Sequence, residues 1–105
     1  MNRIKYDIET YKKKYNITER SWNLFWNAYD SIIEDCYDYA EELGIHEKIN
    51  LFPEELSVEY ISRSDNSEYI NVFIRILNRE HKFIGFYEIF YDIFGNYTDD
   101  FFSFE

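Results

Sequence analysis

The sequence predicts an α+β fold in which two N-terminal helices pack on a four-stranded antiparallel meander sheet. In the first part of the chain, apolar residues recur every three or four positions, which is typical of amphipathic helices. After Pro53, the only proline, apolar and polar residues alternate with period two, which is typical of half-buried strands. Short polar links separate these alternating segments, and short links favour a meander.

The chain is predicted to form one domain, residues 1–105. Its 105 residues are enough to bury a hydrophobic core without disulfides or metals. The composition is globular, with 46% hydrophobic and 30% charged residues, but aromatic residues reach 22%, so we expect some rings on the surface. The predicted elements are helices at about 2–15 and 19–43 and strands at about 56–63, 68–78, 82–93 and 97–104.

The first helix is short and amphipathic. Ile4, Ile8, Tyr11 and Tyr15 fall on one face. The basic segment Lys12–Lys14 lies at its C-terminal end, where positive charge suits the helix dipole. The connection to the next helix is tight, so we expect the two helices to pack as a hairpin.

The second helix, between Thr18 and Gly44, is expected to be the core helix. Thr18 is the predicted N-cap, and Gly44 can adopt the left-handed conformation that ends a helix. Cys36 falls on the apolar stripe and is interpreted as a small buried hydrophobic residue rather than a nucleophile. The stripe consists of Trp22, Phe25, Trp26, Tyr29, Ile32, Ile33, Cys36, Ala40 and Leu43.

The opposite side of this helix is acidic, and no Lys or Arg lies between Ser21 and Glu47. Like charges four residues apart cost a few tenths of a kcal/mol, and acids at a helix C-terminus cost about 0.3–1 kcal/mol each. Either the face is simply solvated, or the carboxylates are kept for a basic partner. The acidic residues are Asp30, Glu34, Asp38 and Glu41, flanked by Asp35 and Glu42.

The four predicted strands divide their side chains between two faces. A two-residue turn at Gly95-Asn96 predicts that Phe90 lies opposite Phe101 and Asp92 opposite Asp99. A two- or four-residue loop around His81 and Lys82 would place Arg75 opposite Glu88. The face expected to pack on the core helix has Val58, Tyr60, Val72, Ile74, Ile76, Tyr87, Ile89, Phe102 and Phe104. The second face has Glu59, Asn71, Phe73, Arg75, Glu88, Phe90, Asp92, Asp99, Phe101 and Ser103.

The second face leaves two alternatives open. Either the N-terminal helix covers it, or it is an exposed surface whose aromatic anchors and surrounding carboxylates bind a protein. The opposed Asp92 and Asp99 would repel each other. Either a basic group neutralises this pair, or the predicted register is wrong by one residue, which would exchange the two faces.

The composition argues against several classes of function. The net charge of −10 disfavours binding to nucleic acid or to an anionic membrane through the overall field. Without a signal-like segment or an 18-residue apolar run, we expect a cytoplasmic protein. His46 and His81 lack metal-ligand spacing, and the 3 glycines are far apart, so no catalytic, metal or cofactor site is predicted.

The C-terminal segment FYEIFYDIFGNYTDDFF, in a small acidic α+β domain, resembles the immunity proteins of bacterial contact-dependent growth inhibition and related polymorphic toxin systems. The resemblance implies a cytoplasmic antitoxin. Such a protein binds the C-terminal toxin domain of a cognate effector, often a nuclease, and blocks its active site or its access to substrate.

The acidic composition agrees with a basic partner, because carboxylates accelerate association with a basic toxin and buried aromatic rings slow dissociation. A second hypothesis is a nucleic-acid-mimicking inhibitor of a defence enzyme, similar to an anti-CRISPR protein. An enzyme or small-ligand domain is the least favoured, since no convergent polar groups are evident. The predicted partner-binding residues are Asp30, Glu34, Asp35, Tyr37, Asp38, Glu41, Phe90, Asp92, Tyr97, Asp99 and Phe101.

Overall fold

The structure is a computed structural model that describes residues 7–54 and 56–104, and within them it contains three helices followed by an antiparallel sheet of five strands. The predicted α+β class is therefore confirmed. The helices are α1 (Ile8–Lys14), α2 (Ile17–Asp35) and α3 (Tyr37–Leu43), followed by a 3-10 turn at Lys48–Asn50. The strands are β1 (Phe52–Pro53), β2 (Ser57–Ser62), β3 (Glu68–Leu77), β4 (Phe83–Tyr91) and β5 (Tyr97–Phe104).

The sheet is the predicted meander with one short strand added. β3 pairs with β4, and β4 pairs with β5, while β1 and β2 both pair with β3. The first strand was predicted at about residue 56, and this is wrong, because Phe52 and Pro53 already pair with Leu77 and Ile76. Two residues are too few to show a period-two pattern, and proline argues against a strand.

The junction between α1 and α2 differs from the prediction. Residues 2–6 of the predicted first helix lie outside the described residues, and α1 begins at Ile8. Thr18 is not the N-cap, because α2 already begins at Ile17. Asn16 holds that position with a left-handed φ of 53°, a conformation that asparagine tolerates better than most residues. Its carbonyl accepts the Arg20 N–H at 3.1 Å.

The predicted core helix is broken at Cys36. This residue has φ −136° and ψ 43°, so α2 ends before it and α3 begins after it. The thiol is exposed rather than buried as predicted, since the break removes Cys36 from the apolar stripe. Ala40 of α3 still reaches the core, and Gly44 ends α3 with φ 77°, as predicted. The apolar periodicity therefore continues across the break at Cys36, so the sequence pattern does not predict the break.

Phe25 lies at the centre of the core between the helices and the sheet. Its side chain is fully buried, and its ring contacts those of Trp22, Trp26, Tyr87 and Phe102 at centroid distances of 5.7, 4.8, 5.6 and 5.6 Å. The predicted inner sheet face is confirmed, because all nine of its predicted residues belong to this core or pack against it. The helices therefore cover one face of the sheet.

The predicted strand register is wrong by two residues. Phe90 lies opposite Asp99, and Phe101 opposite Glu88, while Arg75 lies opposite Phe86. The turn between β4 and β5 runs from Asp92 to Asn96, and the pairing shifts next to Phe90. A displacement by an even number of residues keeps every side chain on its predicted face. Asp92 is in the turn, so the expected repulsion between Asp92 and Asp99 does not arise.

Within residues 7–54 and 56–104, no helix is long and apolar enough to cross a membrane.

Candidate functional site

The face of the sheet away from the helices forms a distinct surface, which we call the outer sheet face. The alternative that the N-terminal helix covers it is wrong for the described part of α1. Tyr11 of α1 is instead buried in the core and donates a hydrogen bond to the Asp92 carbonyl at 2.6 Å. The outer sheet face consists of Ser57, Glu59, Ile61, Tyr69, Asn71, Phe73, Arg75, Phe86, Glu88, Phe90, Asp99, Phe101 and Ser103.

Aromatic rings form the middle of the outer sheet face. Phe90 contacts Tyr69 edge-on at 5.6 Å and stacks with Phe101 at 5.8 Å. Phe73 stacks with Phe86 at 5.0 Å. Phe101 remains 43% exposed, so apolar ring surface is left in contact with water. Among the described residues, these five rings make ring–ring contacts only with one another.

Three carboxylates lie among these rings. The register places Glu88 between Phe73 and Phe101, and Asp99 beside Phe90. Glu59 lies on β2 beside Asn71. Among the described residues, no ion pair involves any of the three carboxylates. They therefore leave the outer sheet face with uncompensated negative charge.

The cations near this face are held by other groups. Arg75 forms an ion pair with Glu54 at 3.3 Å and lies 5.0 Å from the ring centroid of Phe83. Arg63 donates to the Tyr69 hydroxyl at 3.1 Å and lies over its ring. Neither guanidinium neutralises the three carboxylates through an ion pair.

Two shallow pockets open on the outer sheet face. One, of about 310 Å³, is lined by Ser57, Glu59, Asn71, Phe73 and Glu88, and we call it the glutamate pocket. Asn71 is only 8% exposed and donates from Nδ2 to Glu88 Oε1 at 3.5 Å. The other pocket, of about 280 Å³, is lined by Arg63, Tyr69, Phe90, Thr98 and Asp99.

The predicted acidic residues of the helices form a second surface, the acidic helix flank. All of them are exposed, and no ion pair among the described residues involves them. Tyr37 begins α3 beside this flank, is 46% exposed, and has its ring 5.7 Å from that of His46. The flank consists of Asp30, Glu34 and Asp35 on α2 and Asp38 and Glu41 on α3.

The structure does not bring the predicted partner-binding residues together on one surface. The acidic helix flank belongs to the helical layer, whereas Phe90, Asp99 and Phe101 lie on the opposite face of the sheet. A rigid partner that docks flat on one of these surfaces does not reach the other. The prediction therefore separates into two candidate surfaces.

Asp92 is a structural residue of the β4–β5 turn. Its carboxylate accepts hydrogen bonds from the backbone N–H groups of Phe94 and Asn96 at 2.8 and 2.9 Å, and from Asn96 Nδ2 at 3.0 Å. Burial opposes ionisation, but the hydrogen bonds from Asn96 and Phe94 prevail and lower the pKa of Asp92. Its oxygen atoms therefore stabilise the turn.

Tyr97 belongs to a cluster at the inner side of β5 that was not predicted from the sequence. Tyr87 and Tyr97 both donate their hydroxyls to the carboxylate of Asp100. The hydrogen bond from Tyr97 to Asp100, with a smaller contribution from burial, raises the pKa of Tyr97 to about 12. Burial and the same carboxylate raise the pKa of Tyr87 well above its usual range. Asp99 and Asp100 point to opposite faces of the strand, as predicted.

The predicted partner-binding set omits four residues that line one pocket, although each lies on its predicted face of the sheet: Glu59, Glu88, Asn71 and Phe73. These residues come from β2, β3 and β4, so only the strand pairing shows that they line one pocket. The period-two alternation was the available signal, because it places all four on the same side of the sheet.

In the described part of the chain, no group of three or more His, Cys, Asp or Glu side chains is arranged to hold a metal ion. Exposed rings interspersed with unpaired carboxylates are chemically suited to contacts with a basic protein surface. Comparison with known proteins finds no family model, no curated sequence and no solved structure that matches this chain.

Proposed function

We propose that this protein is a cytoplasmic immunity protein that binds and neutralises a cognate bacterial toxin domain, a basic nuclease. The observation that carries the proposal is the set of exposed carboxylates without ion-pair partners among the described residues, accompanied by exposed aromatic rings. Here the negative charge is left available to a partner.

Electrostatics supports a basic partner. A net charge of −10 over 105 residues gives a strongly negative field, and complementary fields can raise association rates to about 10⁸–10⁹ M⁻¹s⁻¹ at low salt. Nucleases present positive surfaces to the phosphates of their substrates. An acidic inhibitor is therefore the electrostatic complement of such an enzyme, and it would compete with the nucleic acid.

Aromatic side chains support a long-lived complex. Phe101 on the outer sheet face and Tyr37 beside the acidic helix flank are 43% and 46% exposed. Exposed aromatic residues that become desolvated at the centre of an interface commonly dominate binding energy. Each of the two candidate surfaces therefore carries both charge for rapid association and an aromatic anchor.

The test is a charge-reversal series measured against the toxin encoded by the neighbouring gene. Glu34→Lys and Asp38→Lys alter the acidic helix flank, and Asp99→Lys alters the outer sheet face. At least one should weaken binding tenfold or more and reduce its salt dependence, because it removes a contact with a cation. Glu80→Lys, in the exposed turn between β3 and β4, changes the net charge equally and serves as the control.

Binding that is unaffected by all three reversals, or affected equally by Glu80→Lys, would contradict an acidic interface. Copurification with the neighbouring gene product and protection of growing cells from that product test the function itself. If the gene lies among phage genes and the protein inhibits a defence enzyme instead, the nucleic-acid-mimicking inhibitor is the better description.

A further inference from the structure

We propose that the outer sheet face is the docking surface for the basic partner, and that the glutamate pocket receives an arginine side chain of that partner. The identity of the partner rests on the proposed function. The arginine site rests on the pocket alone, so it can be tested without the toxin.

The outer sheet face is better suited to a stable interface than the acidic helix flank. Its side chains are fixed by three adjacent antiparallel strand pairings, so charges and rings are held at defined spacings. The flank carries its charges on two helices that meet at the break at Cys36. Preorganised groups lose less conformational entropy on binding.

The two glutamates approach the pocket from opposite sides. Glu59 is on β2 and Glu88 is on β4, with Asn71 and Phe73 on the strand between them. Strands two positions apart are separated by about 10 Å. Side chains that converge from this separation can both contact one guanidinium, whose five N–H donors form a rigid fork.

The base of the pocket selects a planar cation. Asn71 is 8% exposed and holds Glu88 Oε1 through Nδ2 at 3.5 Å. Phe73 adds a half-buried ring that is braced by stacking on Phe86 at 5.0 Å. Guanidinium groups stack on aromatic rings while they bond to carboxylates, whereas an ammonium group lacks the planar fork.

The protein's own arginine on this face does not fill the pocket. Arg75 is held by Glu54 at 3.3 Å and lies over Phe83. Its neighbour across the sheet is Phe86 rather than Glu88. The two pocket carboxylates have no ion-pair partner among the described residues, so charge complementarity identifies the occupant as a cation from another molecule.

The experiment is a titration of the isotope-labelled protein with blocked arginine, N-acetyl-arginine-N-methylamide, followed by NMR. We expect shift changes at the Asn71 side-chain amide and at backbone amides around the glutamate pocket. Blocked lysine should bind more weakly. The double variant Glu59→Gln/Glu88→Gln should weaken arginine binding about fivefold, since each exposed charge contact contributes modestly.

The matched control is Glu47→Gln/Glu80→Gln, which removes two exposed carboxylates elsewhere and should leave arginine binding unchanged. Equal weakening in both variants, or shifts centred on the acidic helix flank, would overturn the arginine site. If the toxin binds but the Glu59/Glu88 variant binds it normally, this inference fails and the proposed function stands. If arginine binds the pocket but no toxin is bound, the proposed function fails instead.

Discussion

Replacing Phe25 with alanine should be among the most destabilising single changes in this protein. Phe25 is fully buried and its ring contacts four other rings, two on its own helix and two on the sheet. It therefore joins the helical layer to the sheet. Phe94→Ala is the matched control, because Phe94 is 68% exposed.

The magnitude follows from the lost contacts. A buried phenylalanine removes about 150–250 Å² from water, which is worth about 3 kcal/mol once the alanine that remains is subtracted. The cavity and the lost ring contacts add to this, so we expect Phe25→Ala to reduce the free energy of unfolding by about 3–5 kcal/mol. The melting temperature of a domain this small should fall by about 12 °C or more. An exposed Phe94→Ala should change stability by about 0.5 kcal/mol or less.

The assay is urea unfolding followed by both tryptophan fluorescence and circular dichroism. Trp22 and Trp26 lie against Phe25, so fluorescence reports the local packing, while circular dichroism reports the whole fold. Coincident transitions allow a two-state analysis. If Phe25→Ala and Phe94→Ala lose the same stability, the packing of the helices on the sheet is not as described.

Three further predictions concern turns and titration. Gly95→Ala should cost about 1–3 kcal/mol more than Gly44→Ala in thermal unfolding, because both have positive φ but only the Gly95 Cβ would meet Tyr15, at 2.3 Å. The lowered pKa of Asp92 stabilises the fold above about pH 4, so the stability advantage of the wild type over Asp92→Asn should shrink on acidification below that pH. The pKa of Tyr97 is raised from 10.0 to about 12. The interactions that raise this pKa stabilise the fold fully below about pH 10, and the stabilisation is lost as the pH rises from about 10 to about 12. The difference between wild type and Tyr97→Phe in denaturant midpoint should shrink over that interval.

The elements of the fold could be predicted because their signals are local. The apolar stripe that contains Phe25 and the alternation through Val72 and Ile89 each specify a face without knowledge of the rest of the chain. The break at Cys36 could not be predicted, since Ala40 packs in the same core and continues the stripe. The register depended on the turn, where the side chain of Asp92 closes a longer loop than Gly95-Asn96 suggested.

The candidate site could be predicted in its chemistry but not in its arrangement. Charged helix residues such as Glu34 and Asp38 are exposed as expected, and so is Phe101. Residue identity does not show that these residues are divided between the helical layer and the sheet, because this division depends on the tertiary structure. The pocket between Glu59 and Glu88 depends on three strands in register, and sequence alone had placed Arg75 opposite Glu88.

Both margins of the sheet are built in ways that discourage the addition of another strand. On one side, the strand β1 has only two residues, and one of them is Pro53, which has no backbone N–H to donate. On the other side, β5 carries the consecutive acids Asp99 and Asp100. Proline, short edge strands and charge are among the devices by which proteins prevent aggregation through open strands. A chain so rich in aromatic residues can thus expose rings on one face of its sheet while the margins of the sheet limit fibre growth.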